Sequence, residues 1–227
     1  METIRDTLTG VPIFSSLKEE YLDELLVITN RKQYKKNEVI FHEGDPGNVL
    51  FIIKSGSVKI ALNDSEGKET ILNILCEHDY FGEMSLIDGV FRSATVSAIE
   101  ETEAIIIYRE KFITLIRENT DIVLDMVTIL CRRLRKTNEK VANLTFFDAY
   151  GKVAKVLLDL IEVKGVKDSK QIVIDTPLSR QELASMSGIT RMTLNRILNE
   201  FQIRGCIKLD GKKIAIIDEA ILKREIL

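Results

Sequence analysis

The chain has 227 residues, and its 45% apolar and 30% charged residues exclude a largely disordered protein. This length corresponds to one or two domains of about 150 residues and can bury a core without disulfides or structural metal. The net charge of −3 is uneven: from Asp148 onward there are 14 Lys and Arg and 11 Asp and Glu, a net of +3, which leaves −6 before it. The asymmetry favours two modules with different partners, although +3 excludes a strongly basic nucleic-acid domain.

Cysteine usage and the N-terminus indicate the compartment. Cys76, Cys131 and Cys206 are an odd number without a close pair, which excludes a disulfide framework and a paired-cysteine zinc site. The sequence begins METIRDTLTG, without the apolar core of a signal peptide, and contains no apolar run of about 18 residues. We therefore expect a cytoplasmic protein that has no membrane partner.

The first half of the chain changes from a helical to a β-strand pattern near Gln33. Phe14–Asn30 has apolar residues at helical spacing, which predicts one or two short helices. From Gln33 to Arg109, short β-rich runs alternate with turn signals, which predicts an antiparallel sandwich or barrel. The predicted strands are Val39–Phe41, Val49–Ile53, Ser57–Leu62, Thr70–Leu75, Ala94–Ala98 and Ala104–Tyr108.

A possible anion site follows in the segment Phe81–Val96. Gly82 opens a turn or short helix that presents backbone N–H groups and the Glu83 carboxylate, and Arg92 and Ser93 come nine and ten residues after Glu83. Backbone N–H groups with an arginine and a hydroxyl suit a mono-anionic phosphate, and a carboxylate suits a ribose hydroxyl. The alternative is a structural salt bridge between Glu83 and Arg92 on a barrel loop.

From Lys111 to about Leu144 the pattern is helical and contains a heptad seam. Its positions step by four and three residues: Val123, Val127, Leu130, Leu134, Thr137, Val141 and Leu144. Such a seam predicts two helices that pair along their length, and hence a homodimer; the alternative is a helix packed on its own domain. Phe146–Ala149 should end this helix, Asp148 should cap the next one to about Val163, and Gly165–Lys170 should be a polar loop.

A helix-turn-helix pattern occupies the last quarter of the chain. Ser179–Glu182 is a capping box for a helix to about Met186, Gly188 allows a tight turn, and Thr190 caps a second helix through about Arg204. Small and apolar residues occur where the two helices must pack: Leu183, Ala184, Ile189, Leu194 and Ile197. Ile207–Leu209, the turn Asp210–Gly211 and Ile214–Ile217 then predict a β-hairpin wing.

Four residues of the second helix face away from its apolar set. These residues are Arg191, Met192, Asn195 and Arg196. An arginine at the start of such a helix can bind a guanine edge with two hydrogen bonds. Ser179, Arg180 and Gln181 lie where a helix N-terminus would hold a DNA phosphate. The alternative is a solvated basic surface on an ordinary helical hairpin.

Phe81–Val96 closely resembles the phosphate-binding cassette of cyclic-nucleotide-binding domains. From about Phe14 to Ile217 the chain resembles the catabolite activator, or cyclic-AMP receptor (CRP/FNR), family of bacterial transcription regulators. The resemblance implies an α+β fold: an N-terminal antiparallel β-roll (jelly-roll) cyclic-nucleotide-binding domain at 1–119, a dimerisation helix at 120–147 and a C-terminal winged helix-turn-helix at 148–227. It further implies a ligand-controlled, sequence-specific DNA-binding regulator that is a homodimer and not an enzyme.

The resemblance also assigns roles to residues. Gly82, Arg92 and Ser93 resemble the phosphate contacts, Glu83 the acceptor of the ribose 2′-OH, and Thr137 the base contact. Asn138 stands where the family has a serine, and because an amide can pair with adenine or guanine, the base stays open. The expected effector is cAMP, with cGMP as the alternative, and the predicted ligand residues are Gly82, Glu83, Met84, Ser85, Arg92, Ser93, Thr137 and Asn138.

On the DNA side, Arg180 resembles a phosphate contact, and Arg191 and Arg196 resemble base-contacting arginines. Met192 replaces the family's glutamate, so the half-site should differ at that position. The predicted DNA-binding residues are Ser179, Arg180, Gln181, Arg191, Met192, Asn195 and Arg196. Expected partners are near-palindromic double-stranded DNA and RNA polymerase, and ligand binding should shift an equilibrium about Phe146–Asp148.

Other sensors and functions fit the sequence less well. Haem or metal at Cys76 and His78 would leave the cassette pattern unexplained, and Cys131 and Cys206 lie in helical patterns, so we expect neither metal nor haem. Alternatives are a regulator of the same family that senses another small anionic metabolite and a cyclic-nucleotide module that acts on a protein partner. An enzyme is the weakest alternative, because no catalytic constellation occurs.

Overall fold

A computed structural model describes residues 3–15, 17–168, 171–175 and 177–226. It divides into two compact units, the first of Met1–Lys68 and Leu72–Leu134, the second of Glu69–Ile71 and Arg135–Leu227. The architecture is α+β, with antiparallel sheets, a long helix and a helix-turn-helix, and it confirms the predicted fold class.

Helices open the first unit. They are α1 (Ile4–Gly10), a 3-10 helix (Pro12–Phe14) and α2 (Glu19–Ile28). The helical prediction for Phe14–Asn30 holds for α2, whereas α1 lies outside the predicted range. A helix of seven residues is too short for a periodic pattern, and α1 is stabilised by a capping box of Thr3 and Asp6.

Two antiparallel four-stranded sheets form the β part. The strands are β1 (Asn30–Tyr34), β2 (Val39–Phe41), β3 (Val49–Ser55), β4 (Val58–Asn63), β5 (Glu69–Leu75), β6 (Tyr80–Phe81), β7 (Thr95–Ala98) and β8 (Thr102–Tyr108), with helix α3 (Glu83–Asp88) between β6 and β7. The sheet orders are β1-β8-β3-β6 and β2-β7-β4-β5. All six predicted strands are present; β1, with the sequence NRKQY, and the two-residue β6 lack a strand signature.

Strand β3 contributes to two hydrophobic cores because its side chains alternate between its faces. Leu50 and Ile52 pack with residues of α1, α2, α4 (Arg109–Glu118) and α5 (Thr120–Phe146). Phe51 and Ile53 belong to the other core, where the ring of Phe51 stacks on Phe81 with centroids 5.0 Å apart. Burial on both faces explains why β3 is almost entirely apolar.

Helix α5 is 27 residues long and has two apolar faces. Ile122 and Met126 are buried in the first unit. The heptad-seam residues Val123, Val127 and Leu134 are instead 39%, 50% and 61% exposed. Packing on its own domain therefore accounts for one face of α5 but not for the seam.

The second unit combines helices with a small sheet. After α5 come α6 (Ala149–Lys164), β9 (Gly165–Asp168), β10 (Gln171–Asp175), α7 (Arg180–Ser187), α8 (Arg191–Ile203), β11 (Ile207–Asp210), β12 (Lys213–Ile216) and α9 (Glu219–Arg224). The sheet order is β11-β12-β10-β9. Asp148 caps α6 as predicted, accepting a hydrogen bond from the Gly151 backbone N–H at 2.9 Å.

Two predictions in this unit are wrong. Gly165–Asp168 is a strand rather than part of a polar loop, because its backbone pairs with Gln171–Ile174 of β10; residues 169 and 170 of that predicted loop lie outside the described residues. Cys206 lies in the turn after α8 rather than in a helix; it is buried, and its carbonyl accepts backbone hydrogen bonds from Ile217 and Asp218.

Candidate functional sites

The predicted cassette begins at a glycine that the backbone requires. Gly82 has φ of 84°, in the left-handed region, and precedes the first residue of α3. A Cβ at this position would lie 2.6 Å from Nη1 of Arg92 and 2.9 Å from the Val49 carbonyl oxygen. Gly82 therefore permits both the turn into α3 and the close approach of the arginine.

Arg92 is held inside the cassette by neutral acceptors. Its Nη1 donates to the Gly82 carbonyl at 2.8 Å and to Ser85 Oγ at 3.0 Å, and its Nη2 donates to the Val49 carbonyl at 2.8 Å. The guanidinium lies 4.2 Å from the ring centroid of Phe41. Only 5% of Arg92 is exposed, and burial lowers the pKa of its guanidinium, which is nevertheless protonated at neutral pH.

One nitrogen of the Arg92 guanidinium is uncommitted. Within the part of the chain that the structure describes, its buried Nε has no hydrogen-bond partner. The cassette thus combines a positive charge hydrogen-bonded to neutral oxygens with a spare donor. This arrangement suits an anion, because a buried polar group without a partner is costly.

Glu83 is paired with an arginine that the sequence did not single out. The side chain of Glu83 is 6% exposed, and its Oε1 accepts from Arg133 Nη1 at 2.8 Å. Arg133 also donates from Nη2 to the Tyr80 carbonyl at 2.6 Å, and its guanidinium lies 4.6 Å from the Tyr80 ring centroid. Glu83 therefore pairs with Arg133 rather than with Arg92, its partner in the alternative of a structural salt bridge.

Arg133 could have been suspected from its position. It lies in α5, one helical turn before Thr137, and outside the heptad seam. Charge beside a seam is common in paired helices, however, so the pattern alone did not distinguish Arg133 from its neighbours.

The remaining cassette residues differ in exposure. Ser85 is buried against Arg92, whereas Met84 and Ser93 are exposed. The Ser93 hydroxyl donates to Met84 Sδ at 3.7 Å. The structure therefore gathers Gly82, Glu83, Ser85 and Arg92 and leaves Met84 and Ser93 at the surface. Thr137 and Asn138 are exposed on the part of α5 in the second unit, and their contact with a base stays a prediction.

The helix-turn-helix forms as predicted. Ser179 and Glu182 make the capping box of α7, Gly188 has φ of 65° in the turn, and Thr190 caps α8. The apolar set is buried between the helices, with Ile189 half-buried: Leu183, Ala184, Leu194 and Ile197. This packing turns the opposite side of α8 outward, where Arg191, Met192, Asn195 and Arg196 are all exposed.

A cavity beside the α7 N-terminus gathers the predicted phosphate contacts. It is lined by Leu178, Ser179, Arg180, Gln181, Arg191, Gly211 and Lys212. Arg180 Nη2 donates to the Gly211 carbonyl at 3.4 Å, and burial lowers the pKa of Arg180. Lys212, in the wing turn, was not predicted, although Lys212–Lys213 directly follows Asp210–Gly211. Three cations around a helix N-terminus suit a phosphate.

Two further features are absent from the described residues. No described helix is sufficiently long and apolar to cross a bilayer. Over the same residues, no group of three or more His, Cys, Asp or Glu side chains is placed to hold a metal ion.

Comparison with known proteins matches both units. The family model of the cyclic nucleotide-binding domain matches residues 31–119, and that of the Crp-like helix-turn-helix domain matches residues 151–225. The CRP-like cAMP-activated global transcriptional regulator of Mycobacterium tuberculosis is 33% identical over 219 residues, which cover 96% of this chain and 98% of that protein. The cAMP-activated global transcriptional regulator CRP of Salmonella typhimurium is 36% identical over 188 residues, covering 81% and 88%.

A solved structure shows the same architecture. It is that of the c-di-GMP responsive global regulator CLP of Xanthomonas campestris, with a TM-score of 0.77 and 25% identity. The match covers 88% of this chain and 99% of that chain.

Proposed function

Because the chain belongs to the CRP family of transcription regulators, which joins a cyclic nucleotide-binding domain to a helix-turn-helix, we propose that it is a homodimeric, cAMP-controlled DNA-binding protein. Its relatives and domains are those of regulators rather than enzymes. The observation that carries the proposal is Arg92, a buried cation among neutral acceptors with an uncommitted Nε. Its domains are proposed as 1–119, 120–147 and 148–227.

At the sensor, the cyclic phosphate binds to Arg92, to Ser93 and to the backbone N–H groups at the start of α3. A charged donor gives short, strong hydrogen bonds to phosphate oxygens. Glu83 accepts from the ribose 2′-OH. Arg133 holds the Glu83 carboxylate in place at 2.8 Å, so that this acceptor is oriented before ligand arrives.

At the base, Thr137 and Asn138 provide the specificity. Both are polar and exposed on α5, one turn or slightly more beyond Arg133. The cAMP-activated relatives favour adenine, and the Asn138 amide can accept from an adenine amino group. The same amide can pair with guanine, which makes cGMP the competing ligand.

The homodimer forms through the seam of α5. Val123, Val127, Leu134 and Val141 are at least 39% exposed in the single chain, and they recur at heptad spacing. Pairing with a second α5 would bury this stripe by knobs-into-holes packing. It would also bring two copies of α8 to one DNA duplex.

On DNA, α8 enters the major groove and Arg191 and Arg196 contact base edges. A dimer places its two recognition helices roughly 34 Å apart, which suits a near-palindromic site. The ligand controls this binding only if it binds the DNA-competent state more tightly, and we place the change about Phe146–Asp148. RNA polymerase is the expected further partner.

Calorimetric titration of the nucleotide-free protein with cAMP, and then with cGMP, tests the proposal. We expect saturable binding of cAMP and a gel shift of duplexes selected from random DNA only when cAMP is present. If only cGMP binds saturably, cGMP is the effector and the Asn138 amide pairs with guanine. If neither nucleotide gives a binding signal, the result would support a different anionic effector. The structural similarity to a c-di-GMP responsive regulator favours that case.

A further inference from the structure

Two charged residues of α8 and its C-cap residue form a row with a spacing of four residues: Arg196, Glu200 and Arg204. Residues four apart on a helix have Cβ atoms only about 6 Å from each other, so each can pair with the next. Arg196 is the side chain that we assign to base contacts, and the Glu200 carboxylate is its neighbour one turn away. A pair between them would withdraw the Arg196 guanidinium from DNA.

Both of the other members of the row are bound to partners outside α8. The Tyr150 hydroxyl, in α6, donates to Glu200 Oε2 at 2.5 Å, and the Tyr150 ring lies edge-on to Phe201 with centroids 6.1 Å apart. Arg204 Nη2 binds Glu225 Oε1 at 2.5 Å, just after α9. Glu200 is thereby tied to α6, and Arg204 is tied to the end of the chain.

The direction of the Tyr150 pKa shift is consistent with this geometry. The hydrogen bond to Glu200 is the largest cause of a raised pKa of the Tyr150 hydroxyl, while Arg196 and Arg204 act on it in the opposite sense. Both arginines are therefore close to the point where Tyr150 and Glu200 meet. Glu200 has two cations beside it, yet its hydrogen bond is to Tyr150.

We propose that Tyr150 is a specificity-determining positioning residue: by binding Glu200, it keeps this carboxylate from pairing with Arg196, which stays exposed for base contact. The inference rests on the proposed function, because it assigns to Arg196 a contact with DNA bases. Tyr150 itself touches no base and acts only through Glu200.

The test compares two affinities of the full chain with saturating cAMP. One is for the duplex that the wild-type protein selects from a random pool, the other for a random duplex of equal length. Tyr150→Phe keeps the ring on Phe201 but removes the donor. In this variant, Glu200 is free to form an exposed pair with Arg196. The fraction of Arg196 side chains available to DNA should then fall roughly two-fold, or about four-fold when both recognition helices of the dimer are counted. We expect the ratio of the two affinities to fall by that factor.

Glu200→Gln separates this role from packing. Alone, it keeps an acceptor for Tyr150 and should leave the ratio unchanged. Combined with Tyr150→Phe, it removes the competing charge and should restore the wild-type ratio. Tyr108→Phe, at an exposed tyrosine of the first unit, is the matched control, and melting temperatures report on packing.

Two results would overturn the inference while leaving the proposed function intact. One is an unchanged affinity ratio in Tyr150→Phe; the other is an affinity ratio in the double variant that is as low as in Tyr150→Phe alone. Equal affinity of the wild-type protein for the selected and random duplexes would instead contradict the proposed function, and the inference would fail with it.

Discussion

The cassette and helix α8 hold the side chains that we assign to ligand and to DNA in opposite ways. In the cassette, Arg92 and Glu83 are almost fully buried and bound by other residues of the first unit. On α8, Arg191 and Arg196 are exposed, and the contacts of that helix are made by its apolar side and by Glu200. Cassette residues should therefore affect both folding and binding, whereas the outward residues of α8 should affect DNA binding alone.

The largest expected effect belongs to Arg92→Ala. This change removes the only positively charged side chain of the described cassette. It also removes the three hydrogen bonds that Arg92 donates to Gly82, Ser85 and Val49. A charged hydrogen bond is worth about 1.5–3 kcal/mol, so the loss of two such bonds to the cyclic phosphate should lower the cAMP affinity at least about 100-fold. Calorimetry measures the loss, and DNA binding should no longer respond to cAMP. Arg117→Ala, at an exposed arginine, is the control. Unchanged cAMP affinity in Arg92→Ala would contradict the cassette assignment.

Arg133→Ala tests whether the buried residues of the cassette contribute to the free energy of unfolding. It leaves the Glu83 carboxylate, 6% exposed, without its ion pair. Breaking a buried pair from one side costs about 3 kcal/mol in free energy of unfolding, because the remaining charge is desolvated. Urea unfolding should show this loss, and Arg133→Ala with Glu83→Gln should recover part of it. A double variant as unstable as Arg133→Ala would mean that the stacking of Arg133 on Tyr80 matters more than the ion pair.

Arg196→Ala tests the other region. One base-contacting arginine contributes about 2 kcal/mol of discrimination, so the selected duplex should bind roughly 30-fold more weakly for each recognition helix, with little change on random DNA. Unfolding by urea should be unchanged, because Arg196 is exposed. Arg180→Ala provides the contrast: as a phosphate contact, it should weaken binding to both duplexes equally. An equal loss on both duplexes in Arg196→Ala would make it a phosphate contact as well.

The sequence predicted the features that depend on neighbouring residues. The turn at Gly82, the capping box at Ser179 and the glycine turn at Gly188 are local, and each is found as predicted. The pair of Arg133 with Glu83 joins residues fifty positions apart, and only the packing of α5 on the β part brings them together. The same holds for Tyr150 and Glu200, also fifty positions apart.

Backbone pairing explains why Gly165–Asp168, which the sequence predicts to be part of a loop, is a strand. Gly165–Asp168 has one apolar residue and two charged ones, which is ordinary for a loop. It becomes β9 because β10 offers hydrogen-bond partners along that edge. Strand propensity depends on such neighbours more than helix propensity does, so the sequence of a short edge strand is a weak signal.

The smallest expected effect compares two tyrosines, one from each unit. Tyr80 is 1% exposed, and its hydroxyl has no hydrogen-bond partner among the described residues. Burial is the main cause that raises the pKa of this phenol well above its ordinary value. Because an unpaired buried hydroxyl is destabilising, Tyr80→Phe should raise the free energy of unfolding by about 1 kcal/mol, while the ring remains beneath Arg133.

Tyr150→Phe is the matched change, and it should not stabilise the protein, because its hydroxyl is bound to Glu200. Urea unfolding of both variants gives the comparison, and Tyr80→Phe should leave the cAMP affinity unaltered. A destabilised Tyr80→Phe would show that a bound water satisfies the hydroxyl, since buried waters typically make about three hydrogen bonds to such groups. The polar network of Glu83 and Arg133 would then extend through that water into the core, and the sensor would depend on one more group than its side-chain contacts indicate.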